Sequence, residues 1–562
     1  MECAGNELLF CMAMVVLLGG MNMVRAEDPT QYYDWRVAYK WLSPLGTAPP
    51  QRVITINDQF PGPTLSTITN HVVSINVYNL LDEPLLFTWN GIQMRKNAWQ
   101  DGTQGTNCPI MPGYNWTYVI QFKDQIGSFF YYPSLNFQRA AGGFGGITIA
   151  NREIILVPFP QPVGDFTILI GDWYNTDYKV LKDTLDTGYI LSNPNGVLIN
   201  GQKPMDATFW VQQGATYRFR ISNVGGATSL NFRIANHPMQ VVEVEGTYTN
   251  QDYFDSLDIH VGQSYSVLVT MNQVLGDYFI FASPRFAENI PDGIAILRYL
   301  NSGNSNLNPI YPISAPPTWD FSFSLIQAKK IRMNLTTGAA RPNPQGAYKY
   351  KDIPIKRTVI LANSGLMVEG KQRYAVGGNS FIYPNTPLLL ADYLQIPGVF
   401  KIVPFHKHPP SMAFGSPLIM STFVGNSGLK ENFTEIIFQN TEETLQTWHL
   451  DGYSFFVVGM EPGSWTKHSR RSYNMNDAIS RSTVEVFPFS WTSILVQLDN
   501  KGMWRLSSQN LQRQYLGQEL YIRVWAPPQG PMGDYNQKPI PSNVILCGKA
   551  KGYAKNISSV NF

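Results

Sequence analysis

Short stretches in which apolar and polar residues alternate recur along the whole chain of 562 residues. Examples bounded by turn residues are QRVITIND, HVVSINVYN, NWTYVIQF, ATYRFRIS, SYSVLVTM, FTEIIFQ and WTSILVQL. Because successive side chains of a strand point to opposite faces, these stretches predict strands that bury one face. Gly (46) and Pro (39) are plentiful and long helical periods are scarce. The pattern predicts an all-β sandwich protein with one short helix near residues 178–185.

An internal repeat divides the chain into similar parts. The segment ITINDQFPGPTL, with VVSINVYNLL after it, is echoed by VLINGQKP with ATYRFRISNVG, and more weakly by YAVGGNSFIYPNTP with EIIFQNTEETLQ. A repeat of this length indicates duplicated domains rather than a solenoid, and proline-rich joints separate the copies. We predict a signal peptide at 1–26, sandwich domains at 27–156 and 157–300, a linker at 301–320, and a third domain with a C-terminal tail at 321–562.

The first segment, MECAGNELLFCMAMVVLLGGMNMVRA, has the apolar stretch and small-residue end of a secretory signal peptide. No later apolar run approaches the ~20 residues of a membrane span, and the tail CGKAKGYAKNISSVNF is too polar for a lipid-anchor signal. We therefore expect a secreted, extracellular protein without a transmembrane segment. The formal net charge of only +2 argues against nucleic acid as a partner.

Two cysteines, Cys108 and Cys547, follow the predicted signal peptide. In an oxidising compartment two thiols most simply form one disulfide, so we predict that these two are joined. The same compartment permits N-glycosylation at Asn-x-Ser/Thr patterns. Four such patterns begin at Asn115, Asn334, Asn432 and Asn556.

Four sequence blocks in the first and last predicted domains resemble those of the multicopper oxidases, the blue-copper family that includes laccases and ascorbate oxidases. The blocks are LFTWNGIQ with DGTQGTNCPIMPG, GSFFYYPSLNFQRAAGGFGG, QTWHLDGYSFFVVG and DNKGMWRLSSQNLQRQYLGQ. The resemblance implies three cupredoxin-like (plastocyanin-like) β-sandwich domains. In the family at large, histidines and one cysteine hold copper, because imidazole and thiolate suit that metal.

The positions that match the family's copper ligands have mostly lost their ligand residues. The eleven positions carry Thr88, Asn90, Tyr132, Ser134, Gln446, His449, Asp451, Ser507, Ser508, Gln509 and Arg513. Only His449 keeps an imidazole, and Gln518 stands at the axial position. A copper–thiolate site cannot form where Ser508 replaces the cysteine. We therefore expect no copper, no other cofactor and no catalytic residue, with a polar, hydrated pocket between domains where the copper cluster would lie.

Within this family the chain is most similar to a plant subgroup, the skewed-growth (SKU5-similar) and pollen-specific ascorbate-oxidase-like glycoproteins. Supporting phrases are EDPTQYYDWRVAYKWLSPLG, TWNGIQMRKNAWQDGTQGTNCPI and RMNLTTGAARPNPQGAYKY. The resemblance implies an apoplastic or cell-wall protein with a role in directional cell expansion or pollen-tube growth. The alternative is an ascorbate-oxidase-like oxidoreductase with a reduced copper complement.

Two histidine patterns have a structural and a metal-binding interpretation. His406 and His408 form the chain's one His-x-His, but they match no family pair, and the prolines after them favour a surface loop. His449 with Asp451 could hold an adventitious metal ion, although a buried histidine bonded to a carboxylate is the commoner arrangement.

One basic segment, WTKHSRRSYN, gathers Lys467, Arg470 and Arg471. It can be a solvated loop, or a cationic patch whose Arg groups pair with the carboxylates of an acidic polysaccharide such as pectin. Wall proteins are the other partner class that we consider.

Overall fold

The structure is a computed structural model that describes residues 29–301, 309–336, 350–352, 354–404, 413–414, 418–423, 433–525 and 537–553. Strands dominate these residues and assemble into six sheets, which confirms the predicted all-β fold class. No helix within the described ranges is long and apolar enough to cross a membrane.

The first β-sandwich consists of two four-stranded sheets. Its strands are β1 (Thr30–Leu42), β2 (Gln51–Ile56), β3 (Leu65–Ile68), β4 (Val72–Asn79), β5 (Phe87–Asn90), β6 (Asn115–Gln121), β7 (Gly127–Pro133) and β8 (Gly145–Ala150). The sheet orders are β2-β1-β4-β6 and β3-β8-β7-β5. Strand β1 runs parallel to β4 and antiparallel to β2. Two 3-10 helices, Ala98–Gln100 and Gln138–Ala141, lie in its connections.

The second β-sandwich has a seven-stranded and a five-stranded sheet. Its strands are β9 (Gly164–Trp173), β10 (Gly196–Ile199), β11 (Thr208–Val211), β12 (Thr216–Asn223), β13 (Ser229–Ile234), β14 (Met239–Val244), β15 (Thr247–Tyr248), β16 (Tyr253–Phe254), β17 (Leu257–Ile259), β18 (Ser264–Thr270), β19 (Asp277–Arg285) and β20 (Gly293–Tyr299). The orders are β10-β9-β12-β18-β14-β15, with β16 beside β14, and β11-β20-β19-β13-β17.

The third β-sandwich has an eight-stranded and a six-stranded sheet, in the orders β25-β23-β22-β21-β27-β32-β29-β30 and β24-β26-β34-β33-β28-β31. Its strands are β21 (Arg357–Val368), β22 (Lys371–Val376), β23 (Asn379–Ser380), β24 (Lys401–Pro404), β25 (Ala413–Phe414), β26 (Leu418–Phe423), β27 (Phe433–Gln439), β28 (Gln446–Leu450), β29 (Phe455–Pro462), β30 (Ser480–Arg481), β31 (Thr483–Val486), β32 (Ser490–Gln497), β33 (Gly502–Ser508) and β34 (Glu519–Trp525). Three further 3-10 helices are Tyr350–Asp352, Lys467–Ser472 and Gly548–Tyr553.

Four α-helices of the described chain are short: α1 (Tyr178–Asp186), α2 (Phe321–Lys330), α3 (Leu388–Tyr393) and α4 (Leu511–Tyr515). Helix α1 confirms the one helix predicted from sequence. Its N-cap residue Asp177 accepts a hydrogen bond from the backbone of Lys179, and its buried residues Tyr178, Leu181 and Leu185 share one face. A capped start and an apolar stripe explain why this segment is helical.

The repeat seen in the sequence corresponds to one recurring turn. Residues 56–59, 199–202 and 376–379 each join two antiparallel positions through two central residues. The φ angles of these central residues are all positive: 49° and 65°, 50° and 68°, and 56° and 77°. A tight hairpin with positive φ at both positions favours Asn, Asp and Gly, which are the residues found in ITINDQ, VLINGQ and AVGGNS. The three copies are therefore structurally equivalent.

The first and third sandwiches share one apolar core. The largest cluster of buried apolar side chains draws members from both, whereas a second cluster lies mainly in the second sandwich. The predicted disulfide is confirmed: Cys108 and Cys547 are bonded, with their Cα atoms 5.8 Å apart and 439 residues between them in sequence. The disulfide thus joins the first sandwich to the segment that follows the last strand of the third sandwich.

Candidate functional site

Ten of the eleven copper-ligand positions lie on, or immediately after, strands β5, β7, β28 and β33, and Arg513 lies in α4. Thr88 and Asn90 lie on β5, and Thr88 pairs with Tyr132 on the neighbouring β7. His449 on β28 pairs with Ser507 on β33. These five strand residues are buried. Since alternate residues on a strand share a face, this framework holds side chains from two domains close together.

An ion pair occupies the centre of this arrangement. The Nε of Arg505 on β33 donates to Oδ2 of Asp451 at 3.0 Å, and its Nη2 lies 3.5 Å from the hydroxyl of Tyr132. His449 places Nε2 at 3.1 Å from Oδ1 of Asp451, and its Nδ1 lies 2.8 Å from the hydroxyl of Thr483. Burial acts to raise the pKa of Asp451, but the charge of Arg505 and the contact with His449 outweigh it and lower that pKa.

A second guanidinium approaches from the first domain. Arg139, in the 3-10 helix Gln138–Ala141, donates from Nη1 to Oε1 of Gln509 at 3.2 Å. Its guanidinium carbon lies 4.3 Å from the ring centroid of Tyr132, a cation–π distance. Two ligand positions, Tyr132 and Gln509, are therefore linked through Arg139.

Sequence reasoning missed both arginines, although one signal was available. Arg505 precedes Ser507 by two residues on β33, so strand alternation places it on the same face as Ser507 and Gln509. Arg139 lies outside the strands, so no strand alternation predicts which way its side chain points. Its contact with Gln509 is evident only from the structure.

Two further buried carboxyl groups face the Arg505 ion pair. Burial and the negative charge of Asp451 raise the pKa of Asp101 well above its usual range. Burial also raises the pKa of Glu519, the first residue of β34, to about 7, and Asp451 adds to that effect. The positive charge of Arg505 opposes both shifts. The cluster therefore contains more acidic groups than its cations neutralise, and proton uptake compensates for the difference.

The remaining ligand positions of the third domain form a separate polar group. The guanidinium of Arg513 is hydrogen-bonded to Glu442 and donates to the hydroxyl of Thr444 at 3.0 Å. Gln446 donates from Nε2 to the same Thr444 hydroxyl at 3.0 Å. Ser508, the position of the family's thiolate, is fully buried on β33, and its backbone nitrogen donates to the carbonyl of Gln518.

The other substituted positions are satisfied mainly by backbone atoms. Asn90 donates to the carbonyl of Gly262 at 2.9 Å, and the hydroxyl of Ser134 donates to the carbonyl of Gly102 at 2.6 Å. Within the described chain, Ser507 Oγ and the Oε1 atoms of Gln446 and Gln518 have no protein hydrogen-bond partner. Buried polar atoms of this kind are suited to bound water.

These side chains do not fit the copper that the fold family implies. The donor set has one imidazole and no thiolate, whereas copper sites of this type need several imidazoles and a cysteine. A guanidinium offers only N–H donors and a fixed positive charge, so Arg505 and Arg513 repel a metal cation. Across the described ranges, no group of three or more His, Cys, Asp or Glu side chains is arranged to hold a metal ion.

The basic segment is less cationic than its sequence suggests. Lys467 and Arg471 are exposed, but Arg470 bonds to the buried carboxylate of Glu435, with Nε to Oε1 at 3.0 Å. Its guanidinium also lies 5.3 Å from the ring of Trp465. The charge of Arg470 is thus compensated within the fold.

The described glycosylation patterns differ in exposure. Asn115 is exposed at the start of β6, whereas Asn334 is half-buried and accepts a hydrogen bond from the hydroxyl of Thr336 at 2.7 Å. Asn432, Asn556, His406 and His408 lie outside the described residues.

Comparison with known proteins agrees with this architecture. Three family models, each described as multicopper oxidase, match residues 36–154, 164–302 and 417–530. The monocopper oxidase-like protein SKS1 of Arabidopsis thaliana is 48% identical over 98% of this chain and 93% of its own length. An L-ascorbate oxidase homolog of Brassica napus is 46% identical over 95% of this chain and 96% of its own length.

A solved structure extends the comparison to the fold. The laccase of Botrytis aclada superposes with a TM-score of 0.72 at 20% identity, covering 89% of each chain. At that identity the likeness shows a common fold and nothing about activity. With family models covering most of the sequence and plant relatives near half identity, the chain belongs to the multicopper oxidase family.

Proposed function

We propose that this protein is a secreted glycoprotein of the plant cell wall or apoplast that works by binding rather than by oxidation. The observation that carries the proposal is the ion pair of Arg505 with Asp451, which occupies the meeting place of the copper-ligand positions. A guanidinium supplies the positive charge that balances the carboxylate but has no redox chemistry. We also propose a role in directional cell expansion or pollen-tube growth, which the sequence resemblance to the plant subgroup implies.

The alternative is an oxidoreductase with a reduced copper complement. Two relatives are named monocopper oxidase-like protein and L-ascorbate oxidase homolog, and these names suggest an oxidase function for those proteins. In this chain, Gln446, Ser508 and Arg513 would have to bind the one copper that accepts electrons from substrate. None of the three carries an imidazole or thiolate ligand.

The deciding experiment measures copper and activity on the natively secreted protein. Mass spectrometry of the metals should find copper well below one equivalent per chain, and the visible spectrum should lack a copper–thiolate band. Ascorbate and diphenols should not be oxidised under conditions in which a copper-loaded ascorbate oxidase turns over. Tightly bound stoichiometric copper together with turnover would establish the alternative.

For the partner, we propose weak, salt-sensitive binding of acidic polysaccharide such as pectin through Lys467 and Arg471. Both are exposed and lie in one 3-10 helix. Exposed charges contribute little to stability, so Lys467→Gln with Arg471→Gln should leave the fold intact. Salt screens the attraction between charges, so rising salt should elute both proteins from a polygalacturonate column. The double variant should elute at lower salt than the unchanged protein, because it lacks two of the positive charges.

The matched control for the column is Lys203→Gln with Lys371→Gln, which removes two positive charges at exposed positions elsewhere on the described chain. It should elute with the unchanged protein. Equal retention of all three proteins would remove the patch from consideration, and no retention of any would favour a wall protein as the partner.

A further inference from the structure

The five-stranded sheet of the second sandwich has an outer face that carries apolar residues. Along β20, buried core residues alternate with half-buried outward residues, which are Ile294, Ile296 and Arg298. The outward residue of the neighbouring strand β11 is Trp210, which is 53% exposed. The solvated face of a largely antiparallel sheet normally carries polar residues at such positions. Apolar residues grouped there indicate a binding surface.

Strand register places these outward side chains in rows across the sheet. Trp210 on β11 pairs with Arg298 on β20. In the next row, Ile296 on β20 pairs with Phe279 on β19. Because paired residues point to the same face of a sheet, each row forms a continuous strip of side chains.

A tyrosine from the segment after β20 extends this surface. Ile310 pairs with Tyr278 on the side of β19 that faces away from β20. Next to it, Tyr311 is 68% exposed, and its ring centroid lies 4.8 Å from that of Phe279. Trp210 and Tyr311 therefore flank a flat apolar strip. We call the surface formed by the outward residues the sheet platform: Trp210, Ile294, Ile296, Arg298 and Tyr311.

The one charged residue of the sheet platform is neutralised. Arg298 donates from Nε and Nη2 to the two carboxylate oxygens of Asp277, at 2.8 and 2.6 Å. Its guanidinium carbon also lies 5.2 Å from the ring centroid of Trp210, a cation–π distance. The bidentate pair fixes the guanidinium, and the guanidinium restrains the indole ring. The platform is thus preorganised and has no electrostatic attraction for an acidic polysaccharide or an anionic lipid.

The area of the sheet platform excludes a stable protein partner. Across the sheet it spans three strand spacings, roughly 14 Å, and along β20 it spans four residue steps, roughly 13 Å. These dimensions give an area of about 200 Å². A standard protein interface takes roughly 800 Å² from each partner. A strip of a few sugar rings fits the platform better, since aromatic faces pack against the C–H faces of sugars.

The flatness of the sheet platform determines which sugar chain it fits. In a β-1,4-linked chain of glucose, the ring substituents and the linkages are equatorial, so the chain is an extended ribbon with C–H groups on both faces. An α-1,4-linked chain of the same sugar coils and does not lay successive rings on one plane. Two aromatic rings on either side of a flat apolar strip therefore match the β-linked ribbon.

We infer that the sheet platform binds a neutral β-1,4-linked polysaccharide chain, whose sugar rings stack on Trp210 and Tyr311 and cover Ile296. The inference adds a second ligand and does not depend on pectin binding. Lys467 and Arg471 lie in a 3-10 helix of the third domain, whereas the platform lies on the second sandwich. Loss of either binding activity would therefore leave the other unchanged.

The test is calorimetric titration of the secreted protein with cellohexaose, a β-1,4-linked glucose oligosaccharide, beside its α-1,4-linked counterpart maltohexaose. Cellohexaose should bind, and maltohexaose should bind at least about tenfold more weakly. The affinity for cellohexaose should be the same at low and high salt, because the platform carries no net charge. Absence of cellohexaose binding, equal binding of the two sugars, or binding that salt abolishes overturns the inference.

Two variants locate the site. Trp210→Ala and Tyr311→Ala should each weaken cellohexaose binding by at least about fivefold, because each removes one stacking ring. Both side chains are more than half exposed, so both variants should fold and melt like the unchanged protein. The matched control is Trp41→Ala, which removes an indole that is 67% exposed on β1 of the first sandwich and should leave binding unchanged.

Two outcomes would exclude the sheet platform as a polysaccharide site. One is cellohexaose binding of unchanged affinity in both platform variants. The other is a dimer of the unchanged protein, measured by sedimentation, that Trp210→Ala dissociates, because the platform would then be covered by a second copy of the chain.

Discussion

Replacing Glu519 by glutamine should change how stability depends on pH. The side chain is 1% exposed, and burial raises its pKa from 4.5 to about 7. Below pH 4.5 this carboxyl group is protonated in both the folded and the unfolded state, and its contribution to the free energy of unfolding is at its highest. That contribution is lost as the pH rises from 4.5 to 7, because the unfolded state ionises first.

The size of the loss follows from the two pKa values. Each pKa unit corresponds to about 1.4 kcal/mol, so the interval from 4.5 to about 7 corresponds to roughly 3.5 kcal/mol of unfolding free energy. For a domain of this size, 1 kcal/mol shifts the melting temperature by about 2–4 °C. The melting temperature of Glu519→Gln, which cannot ionise, should therefore rise by roughly 7–14 °C relative to that of the unchanged protein between pH 4.5 and pH 7.5.

The assay is calorimetric melting of both proteins at several pH values, read as the difference between them. Other titrating groups are common to both proteins and cancel in that difference. Glu153→Gln, at an exposed position, is the control and should run parallel to the unchanged protein. A constant difference between Glu519→Gln and the unchanged protein across this pH range would refute an ionisation held back by burial.

Three further changes have expected outcomes. Arg505→Met should lower the free energy of unfolding by about 3–5 kcal/mol at pH 7, measured by urea unfolding, because it leaves Asp451 buried without its counter-ion. The loss should be smaller at pH 4, where the surrounding carboxyl groups protonate more readily; an equal loss at both pH values would contradict this account. Cys547→Ser should lower stability by about 2–5 kcal/mol, and alkylation of the unreduced, unchanged protein should label neither Cys108 nor Cys547. Ser508→Cys should not generate a copper–thiolate spectrum when copper is added, since no imidazole stands at Gln446 or Arg513; appearance of that spectrum would show that the site is more complete than its residues indicate.

Sequence predicted the features that local chemistry determines. The recurrence of ITINDQ, VLINGQ and AVGGNS predicted duplicated domains, and the structure gives the local reason for it: each is a tight hairpin whose two central residues have positive φ. Helix α1 was also predicted, and its cap at Asp177 and its apolar stripe are local features of the same segment. The loss of the copper-ligand residues was also predicted from sequence, because the family's motifs identify the positions at which those residues stand.

Long-range pairing was not readable from sequence. Arg470 looked like part of an open cationic patch, yet its carboxylate partner Glu435 lies 35 residues earlier on β27. Arg139 and Gln509 meet from positions 370 residues apart. No local pattern specifies such contacts, because they arise from the packing of whole sheets.

The shared apolar core of the first and third sandwiches has a consequence for biosynthesis. At roughly 5–20 residues per second, about 20–90 s separate the emergence of Cys108 from that of Cys547, 439 residues later. Throughout that interval the nascent first sandwich exposes the apolar surface that its late partner will cover. Such surface invites aggregation and is a substrate for chaperones. An isolated first domain should therefore be prone to aggregation. A ribosome stalled before the last strands should carry a chaperone-bound intermediate rather than a fully folded N-terminal domain.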